Sequence, residues 1–234
     1  MRGLYVSPRM FSFQMWFLKA AGYRVVSLKK IIDFVRGAGT SGLLACLTFD
    51  DGYMNFYEKA FPVLKKYGYP STVFMVSGLA GRSNLWDYEK NKKGGRGNRL
   101  LDWQKAVELS AGGVTFGAHT RTHPHLTSIT AARMKEEILG SKRDIEDRIG
   151  RPVDFFSYPY GDYNEEVAGE VRAAGFLGAT TTKRGFVLKG DDRFELKRMG
   201  AGLKMWFSFI CMPRPGFLAV NKASSVCISS GGKH

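Results

Sequence analysis

The chain has no uninterrupted apolar run of about 18 residues, the length a transmembrane helix needs, so the sequence offers no membrane-spanning helix. Cysteine is scarce. Cys46, Cys211 and Cys227 make no Cys-x-x-Cys pair and no even-numbered framework, which argues against a disulfide-stapled fold and against a thiolate zinc site. Cys46 lies inside an apolar run and reads as a small buried hydrophobe. No repeat of fixed period and no internal linker divides the sequence, and neither a helix-turn-helix pattern nor an aromatic-plus-basic RNA motif is present. The apolar stretch Met10–Leu18 is short and runs into a helical pattern instead of a small-residue cleavage site, so it does not read as a secretory signal.

Acidic residues are missing from Leu196 to His234, a segment that carries Lys197, Arg198, Lys204, Arg214, Lys222 and Lys233. A second basic cluster, Lys90–Arg99, has the glycine content of a loop. Together they account for much of the net charge of +14 (35 basic against 21 acidic residues), and both read as solvated positive charge that governs solubility and nonspecific attraction, not as a specific nucleic-acid surface. The remaining composition, 44% hydrophobic and 24% charged over 234 residues, is that of an ordinary globular protein long enough to bury a full core.

Apolar runs of strand length alternate with helical periodicities. Leu43–Phe49, Ser71–Val76, Val114–Ala118, Asp154–Tyr158 and Phe176–Thr180 read as strands. Helices are expected over Phe11–Ala21, Phe56–Tyr67 with a restart at Pro62, Asp102–Leu109, Thr130–Ile149 and Glu165–Ala174. Continuous apolar strands between amphipathic helices imply a mainly parallel sheet with helices outside, closed or nearly closed. Asp50, Asp51, His119, His123 and Tyr160 all fall just after strands, on the rim where barrels of this kind form active sites.

Of four histidines, three stand close together as His119, His123 and His125. The i, i+4 spacing would place His119 and His123 on one side of a helical turn, facing a single ion. Two imidazoles and one carboxylate leave positions on a divalent metal open for water and substrate. The adjacent carboxylates Asp50 and Asp51 can divide the work, one ligating a metal and the other accepting a proton; taken alone, Asp-Asp-Gly would be a plain turn. His125 alternates with His123 and reads as a surface residue or one beside the ligands. Trp86 and Tyr88 offer either a sugar-stacking edge or ordinary packing.

Thr48-Phe49-Asp50-Asp51-Gly52, His119-xxx-His123-Pro124-x-Leu126 and Tyr158-Pro159-Tyr160-Gly161 resemble, in order and spacing, three motifs of the polysaccharide deacetylases, the NodB-homology family. The resemblance spans about Phe11 to Met199 and includes Trp86-Asp87 and Phe116–His119. It implies a distorted (β/α) barrel and hydrolysis of N-acetyl, in some members O-acetyl, groups on sugar polymers. Carried across, Asp51, His119 and His123 match the metal ligands. Asp50 matches the base acting on a metal-bound water, and the backbone N–H of Tyr160 matches the donor to the oxyanion. Zinc is the plain choice of ion, with cobalt, nickel and iron suited to the same ligands.

The chain departs from the family at two points. Many members carry, two residues before the proline of the third motif, an arginine that orders the base; Ser157 stands there, as in a branch without it. The family's leaving-group acid, a histidine from a late Leu-x-His or an early Tyr-His motif, has no counterpart in the sequence. Met1–Pro8 resembles the segment just after that early strand, so the barrel is expected to be incomplete at its N-terminus. The expected organisation is a catalytic domain over residues 1–206 and a basic, irregular tail over 207–234. The leading function is N-deacetylation of an N-acetylated glycan. The alternatives are a catalytically weak, metal-containing carbohydrate-binding domain and a basic protein docking on nucleic acid or an anionic wall polymer. The sequence as given points to the cytoplasm, whereas substrates of the leading class point to the cell envelope.

Overall fold

The computed structural model describes residues 6–38, 42–84, 86 and 97–200, with the backbone of Ser225–Ser229. Helix α1, Pro8–Ala20, opens with the Ser7 hydroxyl accepting from the Met10 N–H at 3.2 Å and with Pro8 in the first turn, where its missing N–H costs nothing. Its buried Phe11, Met15 and Leu18 recur at the spacing of one helix face. The two-residue strand β1, Arg24–Val25, leads to α2, Leu28–Val35, capped by Ser27. Every residue of β2, Leu44–Phe49, is buried, as expected of a strand covered on both faces. A π-helical turn over Phe56–Ala60 passes into α3, Phe61–Tyr67, at the expected Pro62 restart, and Gly68 ends it in the left-handed conformation at φ 64°.

β3 (Ser71–Met75), α4 (Trp103–Ala111), β4 (Thr115–Ala118), α5 (Ala131–Ile149), β5 (Phe155–Ser157), α6 (Glu165–Ala173), β6 (Gly178–Arg184), β7 (Leu196–Gly200) and β8 (Ser225–Ser229) complete the order. Asp102, Thr130 and Asn164 cap α4, α5 and α6 through their side-chain oxygens. All neighbouring strands are parallel in sequence order, and β8 pairs with both β7 and β2, so that β2 to β8 close a ring of seven strands. The distorted (β/α) barrel expected from the sequence is therefore the observed architecture. Its distortion is local: β4 and β5 meet in register at Ala118↔Phe156, and the register shifts between Thr180 and Arg184 where β6 meets β7.

Strand β1, helix α2 and strands β7 and β8 are absent from the sequence reading. β8 lies in the stretch read as an irregular tail, where the β-branched Val226 and Ile228 suit a strand. The basic residues 90–96 and the rest of the tail lie outside the described residues. Packing falls on the two faces of the ring. One core joins α1, α4, α5 and α6 to it through residues such as Met15, Leu109, Ile138 and Phe156, and a second places Leu28, Ile31 and Phe34 of α2 against Leu44, Cys46 and Phe74. Fully burying each such side chain stabilises the fold by about 1.5–3 kcal/mol. Cys46 is buried as a small apolar residue. No described helix is long and apolar enough to cross a membrane.

Candidate metal centre and hydrolytic site

The strand ends deliver the site. Asp50 and Asp51 follow β2, His119 follows β4, and Tyr160 lies just beyond β5. Among the described residues four non-glycine residues have a left-handed backbone, and all belong here: Asp51 (φ 67°), Thr120 (64°), His123 (62°) and Tyr160 (60°). Such a conformation costs an L-residue on the order of 1–3 kcal/mol, and it persists only where surrounding interactions impose it.

The segment from His119 to His123 is not the helical turn its spacing had implied. Left-handed residues at Thr120 and His123 make it a tight loop, closed where the His123 N–H donates to Thr120 Oγ1 at 3.0 Å. The loop nonetheless brings the two imidazoles together. Asp51 Oδ1 lies 3.2 Å from His119 Nε2 and 3.4 Å from His123 Nε2, and the three ligand atoms all fall within 4.8 Å of one another.

The donor chemistry fits a divalent cation. His119 Nδ1 meets the Ser157 carbonyl oxygen at 2.6 Å, a contact that requires its proton on Nδ1 and leaves the Nε2 lone pair aimed at Asp51 in the neutral ring. Two acceptors facing each other in a buried space require positive charge between them, supplied by a second proton or by a cation. The electrostatics agree. Burial acts against the His119 cation, yet the hydrogen bond to Asp51 and the two carboxylates push its pKa up. Burial likewise favours a neutral Asp51, but hydrogen bonds from His119 and His123 hold its carboxyl far below the usual range. At His123 burial prevails over the pull of Asp51, and the pKa is lowered.

Asp50 points elsewhere. Arg198 on β7 donates to it through both arms, Nη1 to Oδ1 at 2.8 Å and Nη2 to Oδ2 at 2.7 Å, and the Ser157 hydroxyl donates to Oδ1 at 3.2 Å. Burial pushes the Asp50 carboxyl up, and the charge and hydrogen bonds of Arg198 outweigh it, keeping the carboxyl below its ordinary range. Arg198 is 4% exposed, which overturns its reading as one of several solvated basic residues. The strand alternation that buries Leu196 and turns Lys197 toward Asp191 is the signal that places Arg198 inside.

Aromatic rings wall the centre. Trp86 stacks on His123 with centroids 4.4 Å apart, and the Tyr160 ring meets His123 edge-on at 4.5 Å. His125 stacks on Tyr160 at 4.0 Å, approaches Asp162 Oδ2 at 3.7 Å and leaves 49% of its side chain exposed, away from the ligand cluster as the alternation had implied. Tyr88 lies outside the described residues. The structure thus gathers Asp50, Asp51, His119, His123 and Tyr160 at one place, together with Arg198 and Ser157.

Comparison with known proteins agrees with this geometry. The sequence profile of the polysaccharide deacetylase family matches residues 38–179. The chain is 27% identical over 197 residues to the Bacillus subtilis (strain 168) protein YxkH, covering 84% of this chain and 65% of that one. It is 23% identical over 203 residues to a poly-β-1,6-N-acetyl-D-glucosamine N-deacetylase of Staphylococcus aureus (strain MRSA252), covering 83% and 67%. It therefore spans about two thirds of the length of these curated relatives. The solved structure of IcaB from Ammonifex degensii superposes with a TM-score of 0.72 at 26% identity over 83% of each chain.

Proposed function

The chain belongs to the polysaccharide deacetylase family, and from that premise we propose that it is a metal-dependent hydrolase that removes N-acetyl groups from a glycan. The observation that carries the reading is the meeting of Asp51, His119 and His123 around one focus beside a separately held carboxylate, Asp50. Asp51, His119 and His123 would hold a divalent ion, zinc in the plain case and cobalt, nickel or iron in the same ligands. Such an ion, when bound, supplies Lewis-acid polarisation of the acetamide carbonyl and a water of lowered pKa.

The protein's own residues do the rest. Asp50, kept ionised by Arg198, accepts a proton from the attacking water, while Ser157 and Arg198 fix the carboxylate in place. Tyr160, held beside His123 by its ring, donates its backbone N–H to the oxygen that gains charge as water adds. Breakage of the C–N bond then yields acetate and a free amine, the amine gaining the proton equivalent that water gave up. Trp86 and the rings around it present an apolar face suited to a sugar.

The substrate class is an N-acetylglucosamine polymer, and the name of the Staphylococcus aureus relative supports β-1,6-linked oligomers as the first to test. Polymers of that kind belong to the cell wall or an exopolysaccharide, which favours an envelope setting. Residues 1–206 are taken as the catalytic domain and 207–234 as a basic C-terminal segment that lends β8 to the ring. The test is acetate release from β-1,6-linked and β-1,4-linked oligomers and peptidoglycan fragments, with and without chelator. Release that stops on chelation supports the reading. Oligomer binding without release would favour the carbohydrate-binding alternative.

A further inference from the structure

The two histidines reach their focus because the loop between them is folded tightly, and the hydrogen bonds of that loop can be traced. Its carbonyl oxygens at Thr120 and Arg121 accept from the backbone N–H groups of Ser77 and Gly78, at 3.2 and 2.9 Å. Its amides at Arg121 and Thr122 donate to one side chain, Glu137 of α5. Glu137 Oε2 accepts the Arg121 N–H at 2.9 Å and the Thr122 N–H at 2.8 Å, and Oε1 accepts the Thr122 hydroxyl at 2.5 Å. Glu137 is 5% exposed, an unusual place for a carboxylate unless its hydrogen bonds are needed there.

The rest of the loop is tied to the same helix. The Arg121 guanidinium donates to Asp144 from Nε at 2.8 Å and from Nη2 at 2.6 Å, and Ser77 Oγ donates to Asp144 at 2.7 Å. Gly140, between the two acidic residues on α5, leaves room for this: an added Cβ would lie 2.7 Å from Arg121 Nε. Of these groups only Glu137 takes the amides that lie directly between the histidines.

We propose that Glu137 is a positioning residue for the ion centre. By capturing consecutive backbone N–H groups it stabilises the left-handed turns at Thr120 and His123, and so sets the spacing of the two imidazoles before an ion arrives. The inference rests on the reading that Asp51, His119 and His123 hold a divalent ion.

The experiment is calorimetric titration of zinc into chelator-stripped full-length protein, parent and variants, with amide hydrogen exchange of the 119–123 segment measured on the same stripped samples. Glu137→Ala should weaken zinc binding by about 10–100-fold, as loss of groups supporting metal ligands does. The Arg121 and Thr122 amides should also lose protection. Glu137→Gln keeps an oxygen for the two amides and should recover most of the affinity. Val171→Ala, buried in α6 on a different helix, serves as the control for general destabilisation. Should Glu137→Ala not fold, Glu137→Asp, one methylene too short to reach both amides, carries the same expectation. Parent-like zinc affinity in the Ala or Asp variant overturns the proposal, and so does an equal loss in Val171→Ala. A parent protein that binds no divalent ion overturns the ion-centre reading along with it, whereas parent binding lost in Asp51→Asn but kept in Glu137→Ala overturns the positioning role alone.

Discussion

Arg198 holds Asp50 by both arms of its guanidinium, at 2.8 and 2.7 Å, across a separation of 148 residues. Its Nε donates to the Thr181 carbonyl at 2.8 Å, so the fork is fixed from behind as well. The arginine that many family members place two residues before the third-motif proline is here a serine, Ser157, and that serine shares both partners: its hydroxyl lies 3.2 Å from Asp50 and 3.4 Å from Arg198. On the proposed mechanism the ordering task thus falls to β7, which is one strand removed from both β2 and β5 around the ring.

Replacing Arg198 with Met should remove the charge while keeping much of the volume. Burial would then raise the Asp50 carboxyl unopposed by the guanidinium. As the proposed base, Asp50 would work ionised; its pKa is held low in the parent, so raising it should move the acid limb of the kcat/KM profile toward neutral pH. Breaking a buried pair by removing one partner also costs about 3–5 kcal/mol of stability. Arg198→Lys keeps the charge without the fork and should fall between the two. The measurements are pH–rate profiles and denaturant titrations; an unmoved acid limb in Arg198→Met would remove Arg198 from the base's environment.

Asp144 gives a stability prediction away from the chemistry. Burial pushes its carboxyl up, but the hydrogen bonds from Arg121 and Ser77 outweigh it and lower the pKa. A carboxylate with a depressed folded-state pKa contributes stability that is present above its unfolded pKa, about 3.9, and lost as the pH falls through the folded value. Asp144→Asn should therefore lower Tm at neutral pH, and the gap from the parent should close in acid. Thermal melts across pH check this, and a gap constant with pH would contradict it.

Gly117 sits in β4 two residues before His119, and a Cβ there would lie 2.5 Å from Phe74 Cδ1 and 2.9 Å from the Phe155 carbonyl oxygen. Its need is for space. Gly117→Ala should destabilise by about 1–3 kcal/mol through overpacking, with a lower denaturant midpoint and an unchanged slope. A parent-like midpoint would mean that Phe74 moves aside at no cost.

Much of the site was legible because strands of continuous apolar residues end at polar ones. Leu44–Phe49 leads to Asp50-Asp51, Thr115–Ala118 to His119, and Phe155–Ser157 to Tyr160, so a pattern read along the chain already puts these groups on one rim. What it could not supply was dihedral. The spacing of His119 and His123 counts residues and suits a helical turn, whereas positive φ at Thr120 and His123 is imposed by Glu137, which stands on the next helix. Arg198 was hidden for a related reason: its partner Asp50 lies 148 residues earlier in the sequence and is brought to it, at the end of β2, only once the ring has formed. The short strands β1, β7 and β8 carried too little periodicity to stand out, whereas α2, whose Leu28, Ile31, Ile32 and Val35 recur at helical spacing behind the Ser27 cap, is legible in the sequence.

The most direct test is a metal titration of acetate release, run on chelator-stripped parent and Asp50→Asn proteins with N-acetylglucosamine oligomers as substrate and zinc affinity measured alongside. The parent should release no acetate when stripped and recover activity as one ion binds per chain. Asp50→Asn should still bind an ion through Asp51, His119 and His123, yet lose on the order of 10²–10⁴ in rate, the contribution of a positioned base. Acetate release that persists both in the stripped parent and in Asp50→Asn would contradict the division of labour between the two adjacent aspartates.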